Sequence, residues 1–212
     1  MEARRLLPLS GVAFVALVLL PFTLIVSGVP ESEASGAELA RFYEEDAARE
    51  VVATSVFAAS IPFLILFAAT LAEAFPSRSR TGAIWERMLV AGSVLAGGAV
   101  LLTATVRLAL LIAAEGELSH GALEALNAVV GNGWVALNGG LGVMMLGAAG
   151  LLLGRAGAYQ WAGRAALVLG VALFVPYATF FAGLLTGIWI AVMGIALARG
   201  RSDPYAIAPD TA

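Results

Sequence analysis

Residues 165–198, "AALVLGVALFVPYATFFAGLLTGIWIAVMGIALA", contain no charged side chain. As a single α-helix this stretch would run about 50 Å, against a bilayer hydrocarbon core of about 30 Å. Only extreme tilt would accommodate it. Pro176 lies near its middle, lacks a backbone donor and disfavours a continuous helix. The stretch therefore reads as two helices joined by a tight turn near Val175–Phe181. That division decides the fold, because it makes the number of membrane crossings even.

The rest of the chain has the same character. Of its 212 residues 60% are hydrophobic and 13% charged, and the mean hydropathy is +0.92. Soluble domains are about 45–50% apolar and about 25% charged, so the composition is that of a membrane protein. Apolar runs of helical length recur, whereas a transmembrane barrel would alternate polarity over segments of about ten residues. The expected fold is all-α, a bundle of six transmembrane helices at about 6–28, 51–73, 88–113, 127–153, 161–178 and 181–199 in one domain over 1–200. A mobile tail is expected over 201–212. The basic, apolar start resembles a secretory signal, but its apolar run is longer than that of a signal, and an uncleaved first helix is expected. Pro21 and Pro62 are candidate kinks in the first two spans.

Charge placement supports six spans. Arginines 4, 5, 78, 80, 87, 155, 164, 199 and 201 fall on one side only if the number of spans is even. The opposite side receives Arg41 and Arg49 together with Glu31, Glu33, Glu38, Glu44, Glu45, Asp46 and Glu50. The positive-inside rule then places both termini in the cytoplasm. Trp85 and Trp161 fall at the inner boundary, where interfacial tryptophan is common. All twelve basic residues are arginine, which with abundant Ala and Gly suggests a bacterial chain in the inner (plasma) membrane.

In the acidic loop before the second span, Ser35 and Glu38 have capping-box spacing. Leu39, Phe42, Tyr43 and Ala47 then share a helical face. A short amphipathic helix is expected over about 36–50. It either lies across the outer end of the bundle or serves as a docking surface for an extracytoplasmic partner.

Arg107 lies about 9 Å inside the outer end of the third span. It can snorkel to the headgroups, pair with Glu50, Glu115 or Glu117, cap backbone carbonyls, or line an anion or headgroup site. Intramembrane ionisable residues are functional candidates by default. The fourth span carries Asn127, Asn132, Asn138 and Trp134 among many glycines. Asn132 and Asn138 are expected to point into the bundle, because an asparagine facing lipid leaves polar groups unsatisfied. With Thr103, Thr105 and Arg107 they form the candidate polar cavity. The candidate binding set is Arg107, Asn132, Asn138, Thr103 and Trp134. Gly150 with Gly154, and Gly183 with Gly187 and Gly194, form candidate packing ridges within the chain or between copies.

The residue inventory excludes several classes of chemistry. No lysine means no retinal Schiff base, and one histidine, His120, cannot ligate a haem from two sides. That histidine reads as a solvated loop residue. Without cysteine there is no thiolate metal site or iron–sulfur cluster. No span interior contains the carboxylates used in proton coupling or aspartyl proteolysis. There is no phosphate-binding glycine loop, and the acidic pI of about 5.2 gives no reason to expect nucleic acid. No catalytic residue, metal or cofactor is expected.

The segments "SGAELARFYEEDAAREV", "WAGRAALVLGVAL" and "GIWIAVMGIALARG" give the chain a familiar layout. It resembles a diffuse group of small actinobacterial polytopic membrane proteins that form a domain family without an assigned activity. The resemblance implies a six-helix layout, and no cofactor or functional residue. The leading functional expectation is a non-catalytic integral membrane protein that acts through association, as an accessory subunit or a homo-oligomer. The alternatives are a small channel or transporter for a neutral or anionic solute, and a lipid-binding protein with Arg107 on a headgroup phosphate.

Overall fold

The computed structural model describes residues 6–25, 30, 33–76, 79–116 and 119–199, with the backbone alone for 22–25 and 115. The expected tail 201–212, arginines 4, 5, 78 and 201, and Glu117 lie outside the described residues, as does the side chain of Glu115. A 3-10 turn, Leu7–Leu9, leads into α1 (Ser10–Ile25), which contains Pro21. Then come α2 (Gly36–Glu45), α3 (Ala47–Ala59), α4 (Ile61–Ala74), α5 (Arg80–Glu115), α6 (His120–Leu152), α7 (Ala158–Ala172) and α8 (Thr179–Arg199).

Four stretches are long and apolar enough to cross a membrane: Ala47–Ala74, Arg80–Ala114, His120–Leu152 and Thr179–Arg199. The apolar N-terminal stretch, Leu7–Pro21, is shorter. The fifth expected span is only the 15-residue α7, about 22 Å long. The expectation of six full-length spans is therefore corrected to four, with a shorter apolar N-terminal helix. The physical reason is that hydropathy does not register where a helix ends. Residues 165–198 carry no charged side chain, yet residues 173–178 form the turn between α7 and α8. Pro176 lies in that turn, where Val175 donates to Ala172 O and Ala178 to Val175 O, so the irregular backbone largely satisfies itself, as an apolar setting requires.

The antiparallel pair α5–α6 is the spine of the fold. At Gly140 and Gly147, seven residues apart on α6, an added Cβ would collide with the backbone of Ala96 and Leu89. Gly92 on α5 abuts Met144 in the same way. The two backbones touch because these positions carry no side chain, which is how helices pack where lipid rather than water is the competing surroundings. Around this seam lies the main core. It includes Phe67 and Leu71 of α4, Leu89 of α5, Met144 and Leu152 of α6, and Trp189 and Ile190 of α8. The antiparallel contacts bring Arg80, Arg87, Arg155, Arg164 and Arg199 to one end, the basic end: Gly150 abuts Trp85, Gly163 abuts Leu153, and Gly194 abuts Pro8.

The glycine ridges expected as contact faces divide differently. Gly150 lies on Trp85, Gly187 faces Val15 of α1, and Gly183 faces Asn138, all within the chain. Gly154 falls in the turn after α6 with open space beside it, so it is no part of a ridge.

At the opposite, acidic end α5 and α6 continue past the main core. Both are about 50 Å long, longer than the hydrocarbon is thick. There α2 lies across them, and Leu39 and Tyr43 form a second small core with Leu110, Leu111 and Leu123. The Ser35–Glu38 capping box is formed: Ser35 Oγ accepts from Glu38 N at 3.4 Å and Glu38 Oε2 accepts from Ser35 N at 2.9 Å. The amphipathic helix is interrupted at Asp46, so the expected 36–50 helix is α2 followed by the first turn of α3.

Candidate functional site

Arg107 does not snorkel free. Its Nη1 donates to Glu50 Oε2 at 3.2 Å. Glu50 lies in the first turn of α3, where a carboxylate is favoured by the helix dipole, and is only 1% exposed. Of the three candidate carboxylates, Glu50 is the one whose side chain is described, and it closes the pair. One turn further along α3, Thr54 is also buried, and its hydroxyl has no partner among the described atoms. Tyr43 of α2 is buried near enough to feel both charges. Burial pushes its phenol up to about 12, with the Arg107 charge opposing and the Glu50 charge reinforcing that shift. Removing one member of such a pair would strand a buried charge, so the pair clamps α3 to α5 beneath α2.

The strap α2 has further anchors. Gly36 N donates to Glu124 Oε1 of α6 at 2.8 Å, and Gly36 lies directly against the Cα and Cβ of His120. His120 is thus the first residue of α6, not a loop residue, and its side chain is exposed. The Ser35 backbone and hydroxyl hold the Glu38 carboxyl below its ordinary range.

The residues expected to line one polar cavity do not converge. Thr103 donates to Ala99 O within its own helix and borders Gly133. The cleft there has a volume of about 20 Å³ with walls such as Leu102, Val106 and Val129, room for roughly one water. Thr105 is exposed and donates to Leu101 O. Asn132, expected to point inward, is exposed and donates to Ala128 O of its own helix at 2.8 Å. That back-bond lets an asparagine face outward by satisfying one of its two donors. Trp134 is also exposed, whereas Asn127 is buried. Asn138 is half-buried and faces Gly183 near the start of α8. Among the described residues no three metal-ligating side chains gather.

Sequence reasoning missed Glu50 as an interior carboxylate, because it stood one residue outside the apolar window. Its i, i+4 partner on the buried face, Thr54, and the need of Arg107 for a counter-charge were the available signals. No family model, curated protein or solved structure matches the chain.

Proposed function

We propose that the chain is an integral membrane protein, basic end in the cytoplasm, that acts by associating with another membrane helix through the acidic-end half of α6. One observation carries the reading. Gly121, Ala125, Ala128, Asn132, Val135 and Gly139 recur at spacings of four and three residues, and the first five are exposed. That is the spacing of a helix-pairing seam, with small residues allowing close approach and a single asparagine suited to setting register. The α7–α8 hairpin covers α6 only as far as Gly142, against Phe174, and Asn138, against Gly183, so the seam begins where the chain's own cover stops. This differs from the ridges at Gly150, Gly183 and Gly187, which are occupied internally. The orientation follows from gathering Arg80, Arg87, Arg155, Arg164 and Arg199 at one end. The anion-site alternatives lose support because the charge of Arg107 is already met by Glu50.

The chain has no cysteine, so single cysteines report without background. Oxidative cross-linking in native membranes of Val135→Cys is expected to give a discrete adduct. Leu101→Cys, on the outward face of α5, is expected to give none. Equal cross-linking at both positions, or at neither, would discard the seam.

A further inference from the structure

Trp161 and Arg164 lie one turn apart at the start of α7, on the side turned away from the bundle. The guanidinium carbon of Arg164 sits 4.6 Å from the centroid of the Trp161 ring, and Trp161 is 68% exposed. Their height is set by Gly163 between them, which abuts the backbone of Leu152 and Leu153. This turn is therefore level with the last turn of α6, near Trp85 on Gly150, where the bilayer boundary at the basic end falls under the membrane reading above. Arg107 is met by Glu50 and Arg41 by Glu45, while Arg155 donates to Pro76 O and lies over Phe75. Among the described residues no carboxylate meets Arg164. Arg164 lies over the indole ring and is itself exposed. Beyond it Leu167, Val168 and Val171 are exposed and continue about 10 Å along the helix.

We propose that Trp161 and Arg164 form a site for the phosphate of an anionic phospholipid, with an acyl chain lying along Leu167, Val168 and Val171. The chemistry fits each part. A planar guanidinium offers two parallel N–H donors to a phosphate. An indole prefers the headgroup level, with its ring apolar and its N–H in reach of polar groups. The apolar track selects a lipid over free phosphate, because it offers contact only to a hydrocarbon tail. The site rests on the membrane reading but not on the α6 seam, which lies at the other end of the bundle.

The test is native mass spectrometry of the full chain released from nanodiscs containing phosphatidylglycerol and phosphatidylcholine. Wild type is expected to retain phosphatidylglycerol preferentially. Arg164→Gln should lower that retention about tenfold, the loss of a charge-assisted hydrogen bond, with phosphatidylcholine unchanged. Arg164→Lys should fall between the two, because it keeps charge but not the paired donors, and it serves alone if the glutamine variant does not fold. Arg87→Gln, an exposed arginine at the same end, should leave retention intact. No headgroup preference in wild type overturns the proposal. So does an equal loss in Arg87→Gln, which means diffuse charge attraction, and so does displacement of the lipid by millimolar inorganic phosphate.

Discussion

The two halves of α6 are made of similar residues and have opposite fates. From Gly140 to Leu152 the helix is almost wholly buried, and Gly140 and Gly147 seat it against the backbone of α5. From Gly121 to Gly139 it is largely exposed on one side. Its other side is held by α5 and by a strap that depends on a buried ion pair, a capping box and one small apolar cluster. The first half is secured by packing and the second by polar fastenings. Burial along one helix is thus set by the height at which neighbouring helices end, more than by the helix's own composition.

The sharpest way to break that contrast is to strand one charge of the pair. Arg107→Gln or Glu50→Gln alone is expected to destabilise by about 3–5 kcal/mol. Hydrogen exchange should rise first in α2, the start of α3 and the acidic-end turns of α5, with residues 140–152 still protected. Replacing both members by leucine should recover much of the loss. Uniform deprotection of both halves after either single change would mean that they do not open separately.

Packing should dominate in the other half. Gly140→Leu forces a side chain into the backbone of α5 and is expected to cost about 3 kcal/mol in detergent unfolding. Gly139→Leu, one residue away with open space beside it, should change stability by less than about 1 kcal/mol. Similar losses at the two positions would remove the seam between α5 and α6 as the organising contact.

The smallest effect distinguishes the halves by pH. Because the Tyr43 phenol is raised from 10.0 to about 12 in the folded chain, the folded state holds its proton more tightly than the unfolded one. The stability this contributes is complete below pH 10 and is lost as pH rises towards 12, by about 2 kcal/mol. Docking of α2, followed by exchange in residues 36–45, should weaken over that interval in wild type. Tyr43→Phe should flatten the dependence. An unchanged pH profile in Tyr43→Phe would show that the phenol does not anchor the strap.

Much of this architecture was legible in residue order. The all-helical membrane character followed from hydropathy, the Ser35–Glu38 box from spacing, and the face Leu39–Phe42–Tyr43 from helical periodicity. Each depends on neighbours within one or two turns, where geometry is the same in any helix. The division of residues 165–198 was legible too, through Pro176. Its consequence was not, because a turn can occupy apolar residues without changing the hydropathy of the window, and so α7 came out too short for a full crossing.

The candidate site was legible only in part. Arg107 announced itself by its surroundings, but its pairing with Glu50 needed α3 and α5 to meet. Asn132 and Asn138, alike in type and setting along the chain, separated because one faces the start of α8 and the other lies beyond the hairpin's reach. Hydropathy, capping and periodicity are local properties that residue order carries without help from a fold. Which charge is paired, which glycine is filled by a neighbouring backbone and which asparagine stays uncovered depend on where distant helices stop, and only the packed bundle decides those heights.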